Sequence, residues 1–406
     1  GWSEIEGPLA SPWTMAFSEA LEAFGARVVM EDERWHVCGP GVGGLLEPTG
    51  DILFAGAPYG LDLIAGLAGT AAFTTRIEGI NPDLSARRLG DLLAGLEAFG
   101  AGTVSAEGGR LPLTLRGPGI GLPAAVVLPG ENAAAKAGLL IAALGVPGVS
   151  TIAEARATAG HPERMLQNFG AELRHEPTAE GGQAVEIRGL GELSARRIET
   201  PADTALAALG ALAAAIVSGS ELRIERVLVS PARTAILSAL VAMGARIEIQ
   251  DLRRGGGEEV ADLVIRHAPL RAVALGAEHV APLLSDLPVL AMAAAAAEGD
   301  TVLHLPPGLP LETHARIADI VRGLTANGIA CGADEEQFAI RGAGRIPGGG
   351  RALTAGDPDL GLAFLVLGMA ADEDVTISDQ SGIEERFPGF LQSFEDVGAS
   401  FVRYSD

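Results

Sequence analysis

Ala23-Phe24-Gly25-Ala26-Arg27-Val28-Val29 is the first of six stretches built alike, in which a helix-like run ends on a glycine and passes into a short strand-like run. The others are centred on Phe99-Gly100, Phe169-Gly170, Met243-Gly244, Asn327-Gly328 and Val397-Gly398. Their glycines recur at roughly 70 to 84 residues along the whole chain, a period that marks repeated structural units. At each joint an apolar residue is expected to close the buried face of a helix. Glycine then takes the left-handed C′ position without a Cβ clash, and alternating residues begin a strand. Six joints predict six units of mixed α/β structure.

Working outward, Ile5-Glu6-Gly7 reads as the end of a strand, Thr14–Phe24 as a helix and Trp35-His36-Val37 as a strand. Ser85–Phe99, with Leu89, Leu92, Leu93 and Leu96, has helical spacing. Leu111–Leu115 and Val185–Arg188 read as strands, and Ala133–Leu144 and Pro162–Phe169 as helices. The order breaks at Ile198-Glu199-Thr200-Pro201 and restarts with a helix over Ala202–Val217. This predicts two domains of three units each, residues 1–200 and 201–406.

The chain has 406 residues, is 48% hydrophobic and carries a net charge of -23. That charge repels phosphate backbones and anionic headgroups, which excludes nucleic acid and membrane as expected partners. Lys136 is the one lysine against 28 arginines. Cys38 and Cys331 match no metal spacing and read as reduced thiols of a cytoplasmic protein. The apolar runs Ala205–Val217 and Leu287–Ala297 are short for a bilayer and read as buried helices. Gly39–Gly44 lacks the Lys-Ser/Thr of a phosphate loop and reads as a structural turn.

Several segments together resemble one family. They are Leu128–Leu140 (LPGENAAAKAGLL), Gly145–Ile152 (GVPGVSTI), Val227–Thr234 (VLVSPART), Leu287–Ala295, Ala363–Gly368 and Phe387-Pro388-Gly389-Phe390. Their order and spacing are similar to 5-enolpyruvylshikimate-3-phosphate synthases, above all the glyphosate-tolerant bacterial class. The resemblance implies an enolpyruvyl-transferase fold: two domains of three βαβαββ repeats, helices inside and sheets outside, with substrates held in the cleft between domains. It implies transfer of the enolpyruvyl group of phosphoenolpyruvate onto shikimate 3-phosphate, without a cofactor or metal. Two multiply charged anions held together call for several cations, and the tetrahedral intermediate calls for acid/base groups.

Laid on the family pattern, many of those groups are replaced. The family's Lys-Ser-x-Ser-x-Arg motif has no counterpart, so the first repeat is expected to be truncated. Asp62 and Asp359 stand where the family has anion-binding arginines, and Ser285, Glu312 and Thr313 stand at catalytic positions. Asn132 and Ala134 replace the substrate-binding Ser and Gln. Arg87, Lys136, Asp203, Arg233 and Arg316 match family positions, and with Asp286, His314 and Asp357 they form the candidate ligand site. His314 with Asp357 and Asp359 also suggests a divalent-cation cluster, though an acidic solvated surface is the plainer reading. His161 reads as a helix-start residue. Exchanging Arg for Asp turns an attraction of roughly 4 kcal/mol at 4 Å into repulsion. These replacements predict a catalytically degenerate protein turned to binding a protein partner or small ligand. The alternatives are an enzyme for a less anionic substrate, and a residual 3-phosphoshikimate 1-carboxyvinyltransferase.

Overall fold

The computed structural model describes residues 1–80, 82–178, 182–230, 234–354, 356–380 and 382–403. Contacts divide the chain into two compact units. The first comprises Gly1–Thr200 with Gly255–Glu258, the second Pro201–Arg254 with Glu259–Asp406.

All six joint glycines adopt positive φ, from 78° at Gly328 to 106° at Gly398. At every one the glycine N–H bonds the carbonyl three residues back, and the next N–H bonds the carbonyl five residues back, as in Gly25 to Glu22 and Ala26 to Leu21. This is the Schellman arrangement, which satisfies the last carbonyls of each helix. Phe24, Phe99 and Met243 close buried helix faces as expected. Two joints depart from the expectation. Asn327 is buried and works through its amide, donating to the Gly323 carbonyl and accepting from the Gly350 N–H. Val397 is 66% exposed, and no strand follows Gly398 among the described residues.

In the first unit three four-stranded sheets share one topology: a parallel edge pair followed by two antiparallel pairings. Their orders are Arg197–Glu199, Trp2–Glu6, Arg34–Cys38, Arg27–Glu31; then Ile52–Phe54, Thr74–Gly79, Arg110–Arg116, Gly102–Ala106; then Ala125–Leu128, Gly148–Glu154, Gln183–Gly189, Leu173–Pro177. The second and third sheets complete βαβαββ repeats. The first repeat has a single helix, Pro12–Ala23, before its hairpin. In the second unit the sheet of Ala274–Leu275, Glu298–His304, Gln337–Ala343 and Ala330–Ala333 repeats the same pairing.

Alternation sets the sheet faces: Leu111, Leu113 and Leu115 point into the core from Arg110–Arg116. The helices Pro58–Gly69 and Ala133–Leu144 are buried nearly all round, which is why they read as continuous Ala/Leu/Gly runs. Each fully buried leucine, such as Leu139 and Leu140, contributes about 1.5–3 kcal/mol. The two helices meet backbone to backbone: a Cβ on Gly66 would lie 2.1 Å from the Gly138 carbonyl oxygen, and one on Gly138 would lie 2.4 Å from that of Asp62. Thr204–Ile216, Leu287–Ala296 and Pro358–Gly368 are the matching core helices of the second unit. Among the described residues no single helix is long and apolar enough to cross a membrane. The helix expected over Ser85–Phe99 is two, Pro82–Ala86 and Gly90–Ala98. Leu89 lies between them with its N–H bonded to the Gly109 carbonyl.

Candidate active site

The close approach of Pro58–Gly69 to Ala133–Leu144 places the first unit's charged residues. Asp62 lies in the second turn of the former helix, 1% exposed. Arg87, from the break between the split helices, donates to it from Nε at 2.8 Å and lies 2.7 Å away at Nη2, both on the same oxygen, Oδ2. Burial pushes the Asp62 carboxyl from the ordinary 3.8 up to about 6, although Arg87 pulls it down. Half-exposed Tyr59 stands one turn earlier. Burial first, then the Glu163 and Asp62 carboxylates, raise its phenol to about 12, so it stays protonated.

Lys136 is not presented to a ligand. It is fully buried, with Nζ 2.8 Å from Glu154 and 2.6 Å from Glu163, both also buried. These are charge contacts whose angles fall short of hydrogen bonds; Glu154 takes its aligned bond from the Thr158 hydroxyl at 2.7 Å. Asn132 caps its helix by accepting from the Ala135 N–H, and its amide donates to Asp91 at 2.9 Å. His161 does start a helix, Gly160 being the cap, and its Nδ1 lies 2.8 Å from Glu258, which also accepts from Arg164 Nε at 2.6 Å.

In the second unit Arg316 projects from Leu311–Ala326 and grips Asp357 with Nε at 2.6 Å and Nη2 at 3.0 Å. The same Nη2 reaches Asp359 at 3.5 Å, and Asp359 accepts from Arg386 Nε at 3.0 Å. The Arg386 guanidinium stacks 4.6 Å over the Phe387 ring. Asp357 is also the cap of Pro358–Gly368, accepting from the Leu360 N–H at 3.1 Å. The Ser285 carbonyl accepts from Arg316 at 3.4 Å, and the Ser285 hydroxyl lies 3.5 Å from Asp286. Sequence reasoning thus named Arg316, Asp357 and Asp359, with Ser285 and Asp286 beside them, and missed Arg386. Its signal was available, since it immediately precedes the quoted Phe387-Pro388-Gly389-Phe390.

Other expected site residues lie elsewhere. Asp203 caps Thr204–Ile216, accepting from the N–H groups of Ala205 and Leu206. Glu312 is exposed and Thr313 half-buried in the first turn of Leu311–Ala326. His314 faces an open pocket of about 560 Å³ with His304, Glu335 and Glu336, so it does not join Asp357 and Asp359 in a cation cluster. Among the described residues no group of three or more His, Cys, Asp or Glu side chains is arranged to hold a metal ion. Arg233 lies outside the described residues.

The carboxylates at 62, 357 and 359 are therefore not bare negative charges. Each carries a guanidinium from another element: Arg87 for Asp62, and Arg316 and Arg386 for Asp357 and Asp359. The Arg-to-Asp exchanges read from the sequence thus come with arginines from other elements beside them.

The family model for EPSP synthase (3-phosphoshikimate 1-carboxyvinyltransferase) matches residues 1–394. The chain is 38% identical over 404 residues to the 3-phosphoshikimate 1-carboxyvinyltransferase of Brucella abortus biovar 1 (strain 9-941), covering 99% of this chain and 90% of that protein. It is 37% identical over 401 residues to the enzyme of that name from Pseudomonas sp. (strain PG2982), covering 98% and 89%. The EPSP synthase structure from Acinetobacter baumannii superposes with a TM-score of 0.90 at 27% identity, covering 98% of this chain and 90% of that one. The enolpyruvyl transferase NikO from Streptomyces tendae shares the fold, with a TM-score of 0.71 at 18% identity over 98% of this chain and 90% of that one. The reading of a catalytically degenerate binding protein is overturned by these likenesses, because nearly full-length relatives at this identity bear an enzyme's name.

Proposed function

The chain belongs to the EPSP synthase family, and on that premise we propose that it is a 3-phosphoshikimate 1-carboxyvinyltransferase. It joins the carboxyvinyl group of phosphoenolpyruvate to a hydroxyl of 3-phosphoshikimate and releases phosphate. The observation that carries this reading is the 38% identity extending over 404 of its 406 residues to relatives of that name. Arg87 in the first unit and Arg316 and Arg386 in the second supply cations for the phosphate and carboxylate groups of the two substrates. All three are between about a quarter and a third exposed, so solvent-borne anions reach them. Two free cysteines favour a cytoplasmic setting.

One observation favours a second reading, an acceptor less anionic than 3-phosphoshikimate. Each of these guanidiniums already faces a carboxylate, which lowers the positive potential available to a dianion. One experiment separates the two. Phosphate release from phosphoenolpyruvate is followed with 3-phosphoshikimate and, in parallel, with shikimate. Turnover requiring 3-phosphoshikimate is the expected result. Turnover with shikimate alone selects the second reading, and no phosphate release with either at millimolar concentration overturns both.

A further inference from the structure

Arg87 and Asp62 form a pair with a wet end and a dry end. The guanidinium side chain is 24% exposed and the carboxylate 1%. Two of the five guanidinium N–H donors converge on Asp62 Oδ2. An edge that would bind a phosphate or carboxylate with two parallel bonds is thus held by an internal carboxylate. An incoming anion must displace that carboxylate or sit beside it. A displaced, ionised Asp62 would be a buried charge without its partner, which is strongly disfavoured.

Among the described residues no second cation is paired with the Asp62 carboxylate. Lys136, on the helix packed against it, is held by Glu154 and Glu163. Asp91 on Gly90–Ala98 accepts from Asn132. Arg76 and Glu78 on Thr74–Gly79 pair with each other. Glu19 and Glu22 on Pro12–Ala23 and Arg116 on Arg110–Arg116 are exposed, Arg110 half-buried, and the Tyr59 phenol is neutral. Among these groups Arg87 alone bonds the Asp62 carboxylate.

We propose that Asp62 is a specificity-determining residue: ionised, it occupies Arg87, and it yields that guanidinium to an anionic substrate group only on taking up a proton, so that anion capture and protonation are one event. This rests on the carboxyvinyl-transfer reading, which brings such a group to the first unit. Burial, which places the carboxyl near 6, puts that proton within reach close to neutral pH.

Inorganic sulfate is the probe, because it does not itself titrate between pH 5 and 8. Its binding to the full chain is measured by calorimetry at pH 6 and pH 8, in buffers of different ionisation heat. If only the protonated form binds, the wild-type dissociation constant rises about 50-fold from pH 6 to pH 8, with about one proton taken up per sulfate at pH 8. Asp62→Asn should bind tightly at both pH values without proton uptake, and Arg87→Gln should lose the pH-dependent, proton-coupled component of the binding. Sulfate that binds the second unit through Arg316 and Arg386 gives a signal common to all three proteins, so the test reads the component that Arg87→Gln removes. An equal pH dependence of that component in wild type and Asp62→Asn, its appearance in wild type without proton uptake, or its persistence in Arg87→Gln would each overturn the proposal. Sulfate capture needs no turnover. A chain that captures it this way yet releases no phosphate from phosphoenolpyruvate sinks the activity and leaves the coupling standing.

Discussion

Replacing Asp62 by Asn should make the first unit more stable at pH 8, although it removes half of an ion pair. The native carboxyl sits at about 6 against an ordinary 3.8, a value already including the pull of Arg87. Each tenfold change in the proton equilibrium is worth about 1.4 kcal/mol, so ionised Asp62 costs about 3 kcal/mol relative to its neutral form. The sign follows from proton counting. Between pH 4 and pH 6 the native chain holds a proton that the unfolded chain has released, so this group's contribution falls as pH rises through that window, and the full cost applies above it. Asparagine mimics the neutral form and escapes the cost, while Arg87, a quarter exposed, keeps its water. The variant's advantage should be about 3 kcal/mol at pH 8, about half that at pH 5, and nearly gone at pH 4. Trp2, Trp13 and Trp35 are the chain's three tryptophans and all belong to the first unit, so urea unfolding followed by their fluorescence reports the right half of the molecule. A variant no more stable than wild type at pH 8, or an advantage that does not shrink on acidification, would refute the reasoning.

Two further outcomes are expected. Lys136→Met removes the cation between two buried carboxylates and should cost about 3–5 kcal/mol in the same fluorescence experiment; adding Glu154→Gln and Glu163→Gln should restore most of it, and a single variant as stable as wild type would contradict the burial argument. In the second unit, Asp357→Ala loses both a helix cap, about 1 kcal/mol, and a two-pronged grip on Arg316. Asp359→Ala loses only partly exposed ion pairs, each worth up to about 1 kcal/mol. Scanning calorimetry should therefore rank Asp357→Ala as the more damaging, and the reverse order would show that the cap carries little.

The six joints were legible because everything they need is local. A glycine at C′ and two backbone bonds within six residues settle the geometry wherever the rest of the chain goes, which is why even the Asn327 and Val397 joints keep it. The helices Ala133–Leu144 and Thr204–Ile216 were legible for a related reason, since burial on all sides leaves a continuous apolar run. No strand follows Gly398 among the described residues; a strand needs a partner to pair with, and no local pattern announces one.

The pairings in the site were out of view of the sequence for the same reason as that strand's partner. Aspartate at 62 or 359 reads as a lost cation when each position is compared with its counterpart in the family. Electrostatics acts on places, and a place is filled by side chains from several elements: Arg87 comes from the helix break 25 residues beyond Asp62, and Arg386 arrives 27 residues beyond Asp359. Lys136 shows the converse, a cation that matches its position yet is sealed between Glu154 and Glu163, out of reach of any ligand. What these exchanges change first is therefore the condition under which a cation becomes available. At Arg87 that condition is the protonation state of a buried carboxyl, because the guanidinium is present but engaged. At Arg316 and Arg386 the carboxylates are a quarter to a third exposed, so water can solvate them when an anion takes their place. Displacement in the second unit then needs no proton, and the two units should differ in how pH governs their hold on an anion.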